Sequence, residues 1–178
     1  MKKFPNYKQL DVMDCGPTCL RIIAKYYGKQ FTVEYLRDKC EISREGVSLL
    51  NISNAAESIG FHTIAARITL NKLMSEAPLP CIVHLSVDHF AVVYKIKKDI
   101  IYVSDPVIGL VKYSKEEFIA NWTINDKKEG IILLIEPTPE FFANPDEQIN
   151  KSSFKYIFSY ITRYKKLIAL YPVRTQST

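Results

Sequence analysis

The sequence predicts an α+β fold, with helices first and an antiparallel sheet second. Three observations carry that prediction. Apolar residues in the first half recur at three- and four-residue spacing. From residue 81 onward they gather in short β-branched runs split by polar turns. Neither half contains the roughly 18 consecutive apolar residues that a membrane-spanning helix needs.

The elements follow in order. Over residues 15–27, Cys19, Ile22, Ile23 and Tyr26 line one helical face; Pro17 suits the first turn and Gly28 is the stop. A second helix is expected near residues 32–38. A third begins near Ser48 and carries Leu49, Ile52, Ala55, Ala56 and Ile59 before Gly60. "TLNKLMSE" reads as a short fourth, and the first half as helical. The period then changes: "CIVHL", "DHFAVVYKI" and "IIYVSD" read as strands, with "KKD" as a hairpin tip. Ser114 and Glu117 stand at capping-box spacing in "SKEEFIANW", which predicts one further helix. "GIILLIEP", almost wholly apolar, reads as a central strand.

The 178 residues, 47% hydrophobic, suit one domain and an appendage. After Pro137, Pro139 and Pro145 the composition shifts, which places a domain over residues 1–150 and a segment over 151–178. That segment holds Lys151, Lys155, Arg163, Lys165, Lys166 and Arg174 and no acid, so of the net charge of +5 the body keeps only −1. A near-neutral body excludes the basic face that nucleic-acid binding requires. In "FKYIFSYITRYKKLIAL" cations interleave with apolar residues, as in a basic amphipathic segment beside a membrane on its cytoplasmic side. No apolar run follows Lys2 and Lys3, so no signal peptide is legible and a cytoplasmic domain is expected.

Four cysteines, Cys15, Cys19, Cys40 and Cys81, lack disulfide-framework spacing and read as reduced thiols. Cys15 and Cys19 form a CxxxC with no close second pair of ligands, so no metal site and no cofactor is expected. Cys15 differs from the rest because it stands at a helix entrance beside small Gly16. A thiolate is the nucleophile, and helix N-terminal N–H groups stabilise it. Cys19, Cys40 and Cys81 are expected in the core.

A nucleophilic cysteine needs a base from elsewhere in the chain. His62 has no adjacent acid, and His84 reads as an ordinary strand residue. With a hairpin tip at Lys97 and Lys98, His89 faces residue 106, so Asp105 is a near neighbour able to orient its imidazole. A one-residue error in that register turns the side chain to the other face, so the spacing allows the pair without requiring it. Gln9, upstream of Cys15, offers an amide to an oxyanion beside the Cys15 N–H; by itself it is also an ordinary surface residue. The order Cys, His, Asp, split between a helical and a sheet lobe, is the papain-like solution. The residues by themselves leave a non-enzymatic domain open.

"QLDVMDCGPTCLRIIAKYYG", "REGVSLLNISNAAESIGF", "DHFAVV" and "VSDPVIGLVKYSKEEFIANW" resemble, in that order, the double-glycine leader peptidases that process bacteriocin precursors. The resemblance covers roughly residues 5 to 137. It implies a papain-like cysteine peptidase at the N-terminus of an ABC exporter, on the cytoplasmic face of the bacterial inner membrane. Its substrate would be a precursor peptide, cut after Gly-Gly or Gly-Ala. By motif, Cys15 is then the nucleophile, His89 the base, Asp105 the orienter and Gln9 the oxyanion donor. The implied partners are the precursor and the exporter's transmembrane and ATP-binding domains; no Walker A motif occurs here. Met13 and "GVSLL" are candidates for a leader groove and equally for core. Two other functions use the same residues: a non-catalytic leader-binding module, and a papain-like acyltransferase or amidase.

Overall fold

In the computed structural model, residues 3–42, 46–85, 89–123 and 128–143 are described. They belong to the first of two units into which the chain divides, Met1–Glu147; the basic tail at 151–178 lies outside the described residues. A 3₁₀ turn, Val12–Asp14, leads directly into α1 (Cys15–Tyr26), followed by α2 (Val33–Lys39), α3 (Leu49–Ser58), β1 (Phe61–Thr69) and α4 (Leu70–Ser75). Then come β2 (Cys81–Leu85), β3 (His89–Lys97), β4 (Ile100–Asp105), β5 (Gly109–Ser114), α5 (Lys115–Trp122), β6 (Glu129–Pro137) and α6 (Pro139–Ala143).

The capping chemistry explains where the helices begin. Thr32, Ser48, Thr69 and Ser114 each accept a backbone N–H at the start of α2, α3, α4 and α5. At α5 the box is reciprocal, as the Ser114 and Glu117 spacing predicts. Each cap satisfies a donor that the helix cannot.

The strands form one antiparallel sheet in the order β1-β6-β2-β3-β4-β5. β6 is interior, as its apolar run predicts, between β1 and β2. The helical first half is corrected here: β1 forms the edge of the sheet and pairs with β6 along its whole length. Its alternation fades after Thr63, which hides it from a period count.

Helices cover both faces of the sheet. Ile82, Phe90, Val92, Leu133 and Ile135 join the core beneath α1, α2 and α3. Cys81, Val83, Ala91, Val93 and Ile132 join the opposite core with Leu70, Leu73, Phe118 and Trp122. β2 and the first half of β3, Phe90 to Val93, are therefore buried on both sides, which is why they read as near-continuous apolar runs. Gly130 leaves room for the second core: a Cβ there would stand 2.2 Å from the Trp122 ring.

α1 is buried nearly all round, not along one face. Leu20 and Ala24 are as buried as Cys19, Ile22 and Ile23, whereas Tyr26 is 48% exposed. The sheet takes one side of the helix, and α2 and α3 take the other. α1 is thus the central pillar of the domain, and its first residue is Cys15.

Candidate active site

The approach to Cys15 is built from local caps. Asp11 accepts from the Met13 N–H at 3.1 Å, and Asp14 accepts from the Asp11 N–H at 3.1 Å, which closes the 3₁₀ turn. Pro17 lies in the first turn of α1, where a missing N–H costs nothing. Gly16 matters for a different reason. A Cβ there would meet Val47 and Ile52 at 2.7–2.9 Å, so a hydrogen at this position lets the chain around α3 pack against the turn that carries Cys15. Val47 belongs to "GVSLL", and that part of the segment serves packing.

His89 and Asp105 meet at the same end of β3 and β4. The hairpin between these strands turns at Lys98 and Asp99, one residue later than the sequence reading, with Lys98 in the left-handed region at φ 53°. Lys97 pairs with Ile100 and Lys95 with Tyr102. Continued unbroken, that register would set Asp105 opposite Val92 and so on the reverse side from His89. A bulge at Tyr94 intervenes, and Val93 pairs with Val103 and Val92 with Ser104. The single extra residue returns Asp105 to the side of His89, and His89 Nε2 lies 3.0 Å from Asp105 Oδ2.

Both oxygens of Asp105 are engaged. Oδ1 accepts from the Val107 N–H at 2.7 Å and the Ile108 N–H at 3.0 Å, while Oδ2 faces His89. Burial pushes this carboxyl up, but the bonds from His89, Ile108 and Val107 outweigh it and hold it below the usual range. His89 is pushed up to about 9, first by its bond to Asp105 and then by its bond to Cys15, against partial burial. With Nε2 committed to Asp105, Nδ1 is the ring nitrogen left for the thiol. At neutral pH an imidazolium therefore stands beside the sulfur, at a helix N-terminus: the setting a nucleophilic thiolate requires. Cys15 is 3% exposed and borders the core.

The other thiols behave as core. Cys19, Cys40 and Cys81 are fully buried. Burial pushes Cys40 and Cys81 up to about 12 and Cys19 well above the ordinary thiol value. His62 is exposed on β1, and the half-buried His84 stacks on Phe90 with ring centroids 4.8 Å apart. Neither takes part in the Cys15, His89 and Asp105 cluster.

Gln9 lies at the junction of the two halves of the site. Its backbone N–H donates to Pro106 O at 2.9 Å, next to Asp105, and its Nε2 donates to Val12 O at 3.2 Å, inside the turn before Cys15. An amide nitrogen carries two hydrogens, so one remains for a further acceptor. Two residues escaped the sequence reading. Asp14 is fully buried and receives both Nε and Nη2 of Arg37, from α2. The "DCG" juxtaposition was the available signal for Asp14; nothing in the sequence joins it to Arg37.

A buried thiol at the mouth of a central helix, an imidazole bonded to it and a carboxylate behind the imidazole, on a helices-and-sheet scaffold of this order, make this a papain-like cysteine peptidase. The chain belongs to the Peptidase C39 family, whose profile matches residues 3–140. Among curated proteins it is 35% identical to the lactococcin-A transport/processing ATP-binding protein LcnC of Lactococcus lactis subsp. lactis over 93% of this chain. It is 31% identical to the colicin V secretion/processing ATP-binding protein CvaB of Escherichia coli over 79% of this chain. It spans only 23% and 19% of those two proteins' lengths. Among solved structures, a double-glycine-motif protease from an AMS/PCAT transporter, crystallised with the leader peptide, matches with a TM-score of 0.70 and 34% identity. That match covers 76% of this chain and 93% of the other. The peptidase domain of Streptococcus ComA, a bifunctional ABC transporter, matches with a TM-score of 0.69 and 28% identity, covering 76% and 100%.

Proposed function

We propose that this domain removes the leader from a secreted precursor peptide by cutting after Gly-Gly or Gly-Ala, in step with export by an ABC transporter. The observation that carries the proposal is the His89–Asp105 contact at 3.0 Å, with Cys15 bonded to the same imidazole. Sγ of Cys15 attacks the carbonyl carbon of the second residue of the pair, and the carbonyl electrons move onto oxygen. The Cys15 N–H and the second Nε2 hydrogen of Gln9 receive that oxyanion. The His89 imidazolium gives its proton to the leaving amine, the C–N bond breaks, and the leader remains as a thioester. His89, now neutral, takes a proton from a water whose oxygen attacks the thioester carbonyl; the C–S bond then breaks, which frees the leader acid and restores the Cys15 thiolate beside the His89 imidazolium. Asp105 holds the ring in the tautomer and orientation both steps need.

Cys15, His89, Asp105 and Gln9 take these roles, and residues 1–150 form the peptidase domain. Residues 151–178 then run beside the cytoplasmic face of the membrane, toward the exporter's transmembrane and ATP-binding domains. The relatives' names support that placement, since they combine transport, processing and ATP binding in one protein. Among the described residues no helix is long and apolar enough to cross a membrane.

The test uses a synthetic precursor spanning a Gly-Gly junction, with products weighed by mass spectrometry. Wild type yields a leader acid carrying one water-derived oxygen. Cys15→Ala yields none, and Gln9→Ala lowers kcat by about 100-fold with little change in KM. Cleavage that survives Cys15→Ala refutes the assignment. Transfer of the leader to an added amine without hydrolysis identifies an acyltransferase instead.

A further inference from the structure

The residue before the nucleophile has no part in the chemistry above, yet it is the most thoroughly buried carboxylate beside it. Asp14 is 0% exposed. Arg37 Nε donates to Oδ1 at 2.8 Å, Arg37 Nη2 donates to Oδ2, and the Asp11 N–H donates to Oδ2 at 3.1 Å. The first two bonds form a two-pronged fork between the turn at Val12–Asp14 and α2. The same turn presents Val12 O to the Gln9 side chain, and its next peptide is the N–H of Cys15.

Asp14 is buried but the Arg37 side chain is 40% exposed, and such a half-buried pair adds little net stability. Its effect here is directional. Arg37 lines a hollow of about 470 Å³ together with Asp11, Asp14, Asp38 and Glu41. A point charge would have four carboxylates to choose between, whereas a planar guanidinium matched to both oxygens of one carboxylate selects Asp14. We infer that Asp14 and Arg37 are positioning residues of the peptidase: the fork fixes the turn that carries both the Cys15 sulfur and the Gln9 amide. The inference rests on the catalytic reading of Cys15 given above. It makes α2, which contributes no reacting group, a determinant of turnover.

The test is Arg37→Lys and Asp14→Asn in the whole chain, because Arg37→Ala would leave a buried carboxylate unpaired and risks not folding. Both retained variants keep the volume of the site, and circular dichroism and thermal melting establish the folded fraction. The expected result is a fall in kcat of about 10- to 100-fold with KM within about twofold, as a sub-ångström misplacement of sulfur produces. Iodoacetamide alkylation of Cys15 reads the same geometry without any peptide, and it should slow at least about threefold as the sulfur leaves His89. If wild type alkylates readily but cuts no precursor, the peptidase reading fails, and the alkylation rates alone judge the fork. A folded Arg37→Lys or Asp14→Asn protein with wild-type kcat and alkylation rate overturns the inference. So does a loss of kcat fully accounted for by the unfolded fraction. Should either variant not fold, the other decides.

Discussion

Replacing Asp105 with asparagine probes the site at the point where its hydrogen-bond accounting is tightest. The carboxylate accepts on both sides at once, from Val107 N and Ile108 N on Oδ1 and from His89 on Oδ2. A carboxamide has one oxygen. Two backbone donors outweigh one, so that oxygen turns to Val107 and Ile108 and the NH₂ group turns to His89. Nε2 must then accept, the proton moves to Nδ1, and the imidazolium, which needs an acceptor at Nε2, is disfavoured. The rise of His89 from 6.5 to about 9 corresponds to about 3 kcal/mol in favour of the charged ring, with the Asp105 bond its largest cause. Removing it lowers kcat/KM at pH 7 on the order of 100-fold. It also moves the alkaline limb of the pH–rate profile down from near 9. The assay is kcat/KM against pH with an internally quenched peptide spanning the Gly-Gly junction. Asp105→Ala, which imposes no wrong tautomer, loses activity but less than Cys15→Ala. An Asp105→Asn enzyme whose alkaline limb remains near 9 would refute this account of what the carboxylate does.

Two further outcomes follow from the same geometry. Because His89 is raised in the folded state, its stabilising contribution is complete below about pH 6.5 and lost as pH climbs through about 9. The melting temperature should therefore fall by several degrees across that window, and less so in Asp105→Asn; equal slopes by calorimetry would contradict it. Gly16→Ala should destabilise by about 1–3 kcal/mol, since the new methyl meets Val47 and Ile52 closer than 3.0 Å, and a denaturant midpoint equal to wild type would show that the contact relaxes freely.

The sequence carried those parts of the fold that rest on local chemistry. Ser48 and Ser114 announce α3 and α5 because their caps are local, and β2 and the first half of β3 announce themselves because burial on both faces leaves no polar alternation. β1 was lost because its alternation fades after Thr63, and α1's full burial was lost because α2 and α3 cover the face that periodicity assigns to solvent. The His89–Asp105 pair is the instructive case. Their proximity was legible from the spacing, but the register behind it was not. The hairpin turns one residue later than expected, which shifts the pairing by two, and the bulge at Tyr94 takes back one, so Asp105 falls on the face of His89. A bulge depends on contacts across strands, and the stacking of Tyr94 on Phe4, at 4.2 Å, is not written near either residue. The Asp14–Arg37 fork is hidden for the same reason.

What remains is why a thiol from the first strongly helical segment and a carboxylate from the sheet hold register at all. The answer lies in a stretch with no regular structure, residues 4–9. Ser104 Oγ lies 3.1 Å from both Pro5 O and Asn6 Oδ1, and the Gln9 N–H donates to Pro106 O. The bonds to Pro5 and Gln9 straddle Asp105 in sequence, so the segment is stitched to the end of β4 on both sides of the carboxylate. Three residues beyond Gln9 the chain enters the turn that delivers Cys15. The carboxylate's flanks and the turn before Cys15 are thus joined by one short piece of backbone, while His89 reaches Asp105 through the β3–β4 ladder. A segment that looks like an unstructured lead-in sets the spacing between Cys15 and Asp105, and Gln9 belongs to it through its backbone bond to Pro106 and its side-chain bond to Val12.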